Sequence, residues 1–198
     1  MAEKRARWHE QLAREPVTGL VFVDESGANT KMTRLRGRAL GGRTLVARVP
    51  HGSYQTSTLI SGIRWEGPCA PWLFEGPMNG EMFLAWVKQG LAPTLRTGDL
   101  VILGNLATHK IRGVREAIQS RGARLLHLPP YSPDFNPIEP MWSKIKQILR
   151  NHAPRTETEL LAAARAAFQA ISLTDCRSFF LAPNTLHNLW KCFSIMSQ

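Results

Sequence analysis

The sequence predicts an α/β fold, a mixed sheet flanked by helices with an extra helical segment at the C-terminus. Leu20-Val21-Phe22-Val23 and Leu100-Val101-Ile102-Leu103 are continuous apolar runs of the length expected for strands buried on both faces. A third short run, Leu125-Leu126-His127-Leu128, ends at Pro129-Pro130, which cannot continue a sheet ladder. Between and after these runs the apolar residues recur at helical spacing.

The elements follow in order. A charged helix is expected over about Lys4 to Arg14, then the strand that ends at Asp24-Glu25. The stretch onward to Trp72 and Phe74, with turns at Gly41-Gly42 and His51-Gly52, has the alternation of a β-meander. Asn79 caps a helix reaching about Leu95, whose Met82, Phe83, Trp86, Val87 and Leu91 form a core stripe rather than a cofactor box. The Leu100 strand, a helix from about Thr108 to Arg121 stopped at Gly122, and the Leu125 strand continue the alternation with parallel crossovers.

Asn136-Pro137 is an N-cap and N1 pair, so a helix starts at Pro137. Ile138, Trp142, Ile145 and Leu149 give it a core stripe, and Glu139, Ser143, Lys146 and Arg150 share a polar, mostly basic face beside it. Past Pro154, Thr156 with Glu159 forms a capping box ahead of a helix over Leu160 to Phe168, expected on the outside of the domain. The expected division is a helical lead-in at 1–18, a main domain at 19–152, and a C-terminal helix with a tail at 153–198.

Composition limits the function classes. A chain of 198 residues with 43% hydrophobic content holds one substantial core and is not disordered. Cys69, Cys176 and Cys192 are odd in number and lack a CxxC pair, as expected of unlinked thiols in a reducing cytoplasm. Met1 to Pro16 has no apolar signal region and no stretch is long enough to span a bilayer, so a soluble intracellular protein is expected. The net charge of +10 suits a polyanionic partner.

That charge is clustered. Lys31, Arg34, Arg36, Arg38, Arg43 and Arg48 fall in one segment without an acid, and Lys144, Lys146, Arg150 and Arg155 form a second patch beside Glu139. Arg34, Arg36 and Arg38 alternate, so an extended segment would present them on one face. Taken alone, these arginines read equally as DNA-backbone contacts or as charges protecting an edge strand; beside the carboxylate site, DNA-backbone contact by Lys31, Arg34, Arg36, Arg38, Arg43, Lys144, Lys146 and Arg150 is the favoured expectation.

Two carboxylates occupy positions suited to chemistry. Asp24 ends a central strand, and open α/β sheets place ligands beyond the carboxyl ends of adjacent strands. Glu139 is delivered by the proline-stiffened turn Pro129-Pro130-Tyr131-Ser132-Pro133-Asp134-Phe135-Asn136-Pro137-Ile138-Glu139. It has two readings, a capping-box residue reaching back to the Asn136 amide or a site carboxylate.

Asp24-Glu25-Ser26-Gly27, the Asn105 to Lys110 stretch and the Pro129 to Glu139 segment together resemble the catalytic core of DDE transposases of bacterial insertion sequences and mariner-like elements, a branch of the RNase H-like fold. The resemblance runs from about Val21 to Ile148. It implies that Asp24 is the first catalytic carboxylate and Glu139 the third, that the pair helps hold Mg²⁺ or Mn²⁺ in a two-ion site, and that the substrate is double-stranded DNA, at transposon ends and at the target. The second carboxylate is implied at position 104, separated from Glu139 by the 34 residues usual for this branch.

Here the chain departs from the family, because position 104 is Gly104. Two divalent ions need carboxylates around both, and glycine supplies no side-chain ligand. Asn105 and Glu25 should point to the opposite face by strand alternation, Asp99 lies roughly 16 Å upstream along an extended chain, and His109 reads as a helix-start residue rather than a ligand for a hard cation.

Complete transposases of this type also resemble a catalytic core preceded by helix-turn-helix modules. Roughly twenty residues precede the first core strand, too few for such a module. The expectation is therefore a separately encoded recognition part or a remnant of a longer enzyme, with a homodimer in a synaptic complex as a further expected partner. Three functions follow: a transposase catalytic domain, impaired at position 104; a catalytically dead DNA-binding or assembly module; and a stand-alone RNase H-like nuclease, which nothing in the sequence favours.

Overall fold

A computed structural model describes residues 2–44, 46, 48–130 and 132–182. Tyr131, Cys192 and the tail from 183, all invoked above, lie outside the described residues.

Five strands form one sheet in the order β3-β2-β1-β4-β5. β1 (Leu20–Asn29) is central, antiparallel to β2 (Thr56–Arg64) and parallel to β4 (Leu100–Leu103); β3 (Gly67–Glu75) and β5 (Arg124–His127) are the edges. Among the described residues, six α-helices accompany it: α1 (Ala2–Leu12), α2 (Gly80–Trp86), α3 (Val114–Gln119), α4 (Ile138–His152), α5 (Glu157–Gln169) and α6 (Leu173–Phe180).

The alternation of β1 sorts the core into two layers. Leu20 and Phe22 pack with Leu100, Ile102 and the apolar faces of α1, α4, α5 and α6, while Val21 and Val23 pack with Val101, Leu103 and side chains of α2 and α3. Asp24 therefore continues the α4 side of the strand and Glu25 the α2 side. α5 is not merely peripheral: Leu160, Ala163, Ala164 and Ala167 are buried in the α4-side core.

Several expectations are corrected. β1 does not end at Asp24-Glu25 but runs five residues beyond Asp24 to Asn29, because β2 continues to pair with it through Thr56 after β4 has stopped. Among the described residues, the segment from Lys31 to Gln55 contains no strand, only a short helical turn at Leu40–Gly42 where Gly41 and Gly42 both have φ of 69°. The meander is reduced to the β2–β3 hairpin. The helix expected from Thr108 is broken into a turn at Ala107–Lys110 and α3, since Gly113 adopts φ of 100° between them.

The Asn79 cap is present, its side chain accepting from the Met82 N–H at 2.9 Å, although the helix tightens and widens into irregular turns after Trp86. Thr156 and Glu159 form their capping box. Cys69 and Cys176 are free thiols. Among the described residues, no helix is long and apolar enough to cross a membrane.

Candidate active site

Asp24 lies where the sheet opens. The last parallel register pair is Val23 with Leu103, so Asp24 and Gly104 are the next residues on the two strands. Beyond this point β4 departs and leaves one edge of β1 uncovered.

Asp24 is held in an unfavourable environment for its charge. Burial is the main cause that pushes its pKa up to about 7, and the negative charges of Glu25 and Glu139 add to it, while a backbone hydrogen bond at Glu25 and the charge of His109 oppose it. The negative charge of Glu139 is thus felt at Asp24.

The turn before α4 supplies Glu139 in an uncommitted state. The Asn136 N–H, which a capping box would give to Glu139, instead donates to the Pro133 carbonyl at 3.0 Å. The Asn136 side chain accepts from the Ile138 N–H at 3.3 Å, and Pro137 carries φ of −65°, ready for a helix start. Ile138 is fully buried and fixes the first turn, while Glu139 faces outward. Among the described residues, no hydrogen bond or ion pair engages the Glu139 carboxylate.

Position 104 has no side chain, and its surroundings are crowded on one side. A Cβ at Gly104 would lie 3.2 Å from His109 Cε1, so the imidazole would have to yield by a few tenths of an ångström. That ring is buried, tilted against Phe83 with centroids 4.6 Å apart, and bridges two strands. Its Nδ1–H donates to the Gly104 carbonyl at 3.1 Å and its Nε2 meets Glu25 Oε1 at 2.9 Å. Burial lowers the His109 pKa, but the Glu25 hydrogen bond and charge, the Gly104 carbonyl and Asp24 outweigh it and raise the value overall. His127 Nδ1 also lies 3.0 Å from the Gly104 carbonyl.

Two nearby carboxylates, Glu25 and Asp99, are already engaged. Glu25 faces the α2 layer and is paired with His109. Asp99 is buried at the opposite end of β4, bound by both terminal nitrogens of Arg64 at 3.1 and 2.6 Å and by the Arg96 N–H at 2.7 Å. Among the described residues, no group of three or more His, Cys, Asp or Glu side chains is arranged to hold a metal ion. Two carboxylates suit one hard divalent cation with solvent completing its shell; they fall short of a two-ion site.

The basic residues divide by environment. Arg34, Arg36, Arg38 and Arg150 line one open groove of about 610 Å³ with Gln147 and Asn151, and the Arg34 Nε–H donates to Asn151 Oδ1 at 3.0 Å. Arg150, from the second patch, thus joins three arginines of the first on one surface. Arg43 is exposed on the same excursion, Lys31 lies over the Tyr54 ring at 4.8 Å, and Lys146 is half-buried. Lys144 is different: its Nζ is paired with Asp175 Oδ2 at 2.5 Å, tying α4 to α6. Arg155 is also engaged, donating to the carbonyls of Thr30, Met32 and Pro154.

Two interactions at the site were not foreseen. The His109–Glu25 pair was hidden because 84 residues separate its members, although His109 stands in the stretch that carries the family resemblance. The other joins α1 to the turn before Glu139 through Arg5 and Asp134, which lie 129 residues apart.

Comparison with known proteins places this arrangement. Residues 19–161 match the sequence profile of the DDE superfamily endonucleases. No curated protein matches the sequence. Among solved structures, the chain superposes on that of a pre-cleavage Mos1 transpososome with a TM-score of 0.73 at 12% identity, covering 99% of this chain and 61% of the other. It matches the Mos1 mariner paired-end complex with Mn with a TM-score of 0.73 at 16% identity, over 98% of this chain and 61% of the other. Against the catalytic domain of Mos1 mariner transposase the TM-score is 0.70 at 14% identity, over 98% of this chain and 92% of that domain. The chain therefore has the RNase H-like fold of that domain and spans about three fifths of the transposase chains in the complexes. The profile match covers well over half of the sequence, and the chain belongs to the DDE superfamily endonucleases.

Proposed function

We propose that this DDE superfamily member is the catalytic domain of a DNA transposase, built for metal-dependent strand cleavage and strand transfer and impaired by Gly104. The observation that supports the reading is Asp24 at the opening between β1 and β4, its pKa raised by burial and by the negative charges of Glu25 and Glu139, with Gly104 next to it in the strand register. A divalent ion, Mg²⁺ or Mn²⁺, would supply Lewis acidity and an activated oxygen nucleophile when bound. Asp24 and Glu139 would hold it, and their mutual repulsion supports cation uptake. Glu139 serves this role freely because the capping bond it would otherwise make is taken by Pro133.

The DNA partner is read from charge. The groove of Arg34, Arg36, Arg38 and Arg150 suits phosphates, and Arg150 lies three helical turns, roughly 16 Å, along α4 from Glu139. Lys31, Arg43 and Lys146 would extend it. Lys144 contributes to packing first, through Asp175. Base recognition is assigned to a separate helix-turn-helix part, and action on paired ends to a homodimer. The reading takes 19–152 as the catalytic domain, with 1–18 and 153–198 flanking it and contributing α1, α5 and α6 to its α4-side core.

A second reading is favoured by one specific observation. The absence of a side chain at position 104, with Glu25 and Asp99 already engaged, suits a catalytically dead module that retains DNA binding or assembly. Restoring the carboxylate separates the two. Gly104→Asp, supplied with a recognition module and transposon-end DNA, should gain metal-dependent nicking that the unmodified chain lacks; a variant that folds, binds metal and DNA, and still does not nick would support the second reading.

A further inference from the structure

α1 lies wholly before residue 19, outside the segment matched by the family profile, yet it grips the turn that presents Glu139. Arg5 makes the principal contacts. Its Nη1 donates to Ser132 Oγ at 2.9 Å and to Asp134 Oδ1 at 3.2 Å, while Nη2 donates to Asp134 Oδ2 at 2.5 Å. The guanidinium also lies over the Phe135 ring at 3.9 Å, and Trp8 stacks on the same ring with centroids 5.4 Å apart. Ser132, Asp134 and Phe135, three of the four residues from Ser132 to Phe135, are thus touched by one helix.

Phe135 packs into the core and Ser132 and Asn136 are buried, but among the described residues the turn's own hydrogen bonds are all short-range: Ser132 Oγ to the Pro130 carbonyl, the Phe135 N–H to Ser132, the Asn136 N–H to Pro133, the Ile138 N–H to Asn136 Oδ1 and the Glu139 N–H to the Asn136 carbonyl. The first turn of a helix lacks internal partners for its N–H groups and depends on what precedes it. Ile138 anchors the helix in the core, but the path from Ser132 to Pro137 sets how the outward residue beside it is presented. A bidentate Arg–carboxylate pair provides orientation as well as attraction, which a single ammonium contact does not.

We propose that Arg5, acting through Asp134 and Ser132, is a positioning residue for Glu139, so that α1 is part of the catalytic apparatus rather than a lead-in. This rests on the reading of Glu139 as a site carboxylate.

Two measurements on the full chain test it. In the Gly104→Asp protein with a recognition module, transposon-end DNA and Mn²⁺, Arg5→Ala should lower kcat at least tenfold with KM for DNA within twofold, and Asp134→Ala should match it. The double variant should fall no further, and Arg5→Lys should recover part of the loss. Arg124→Ala, which cuts the ion pair to Glu15 after the end of α1, controls for simple loosening and should leave kcat within twofold. Equal losses in Arg5→Ala and Arg124→Ala, or a loss confined to KM, overturn the proposal.

The second measurement needs no activity. In the unmodified chain, amide exchange at Ile138 and Glu139 should accelerate at least fivefold in Arg5→Ala and not in Arg124→Ala; unchanged exchange overturns the proposal. If exchange responds as expected but Glu139→Gln leaves cleavage of the Gly104→Asp protein intact, the clamp stands and the reading of Glu139 fails.

Discussion

Gly104 follows Leu103 as Asp24 follows Val23, so the two residues stand next to each other where the parallel pairing of β1 and β4 ends. One of the pair carries a charge that the fold resists, and the other carries nothing. From this asymmetry the main stability and activity predictions follow.

Asp24 should be a stability liability. Its folded pKa, near 7, lies above its unfolded value, so the folded state binds the extra proton and the chain is favoured at acid pH. The advantage is fully present below about pH 4 and is lost as pH rises to about 7. The full shift corresponds to at most about 4 kcal/mol. Asp24→Asn should therefore raise the melting temperature at pH 8 and change it little at pH 4. Equal effects at both pH values would show that the carboxylate is not destabilised by its charge.

The His109–Glu25 pair should add a second phase in the same direction. The folded pKa of His109 is raised, so its stabilisation is complete below the usual imidazole value, about 6.5, and fades as pH passes through the folded value. His109→Gln should remove this phase from a titration of unfolding free energy and cost about 1–3 kcal/mol at pH 6 through the broken buried bonds. An unchanged pH profile in that variant would mean that His109 has the same pKa folded and unfolded, against the raised value.

DNA binding should be weak, sequence-tolerant and salt-sensitive. Substituting Arg34, Arg36 and Arg38 together by Ala should reduce the slope of log affinity against log salt by about 1 to 3. Lys144→Ala should behave differently, lowering stability by up to about 1 kcal/mol through loss of the partly exposed Asp175 pair and leaving the salt slope unchanged. A salt-independent affinity, or a slope change from Lys144→Ala as large as that from the arginines, would contradict the assignment of the groove.

Much of the fold was legible because buried strands and amphipathic helices leave apolar patterns. The runs at Leu20, Leu100 and Leu125 became β1, β4 and β5, and the stripe from Ile138 to Leu149 became α4. What the pattern missed depended on partners. β1 outlasts its apolar run because backbone pairing with β2 does not require apolar side chains beyond Asp24. Arg34, Arg36 and Arg38 alternate like strand residues, yet no strand forms there, since alternation alone supplies no hydrogen-bonding edge. Lys144 looked free because Asp175 lies on another helix, 31 residues away. The three-point grip of Arg5 and the burial of His109 were invisible for the same reason.

Glu139 tests the division between capping and chemistry. With the Asn136 N–H already bonded to Pro133, Glu139→Gln should shift the melting temperature by less than about 2 °C, well below the effect of about 1 kcal/mol expected for a lost cap. In the Gly104→Asp background it should abolish cleavage. Persistent cleavage together with lower stability would make Glu139 a structural residue.

The most direct measurement is nicking of end-labelled transposon-end DNA by the unmodified chain and by Gly104→Asp, each with a recognition module and with Mg²⁺ or Mn²⁺. The unmodified chain should give no nicking above a metal-free control. Gly104→Asp should nick, once the His109 ring yields the few tenths of an ångström that the new Cβ requires, and should lose that activity again with Asp24→Ala. Robust nicking by the unmodified chain, abolished by Asp24→Ala, would contradict the account and show that the site is complete without a carboxylate at position 104.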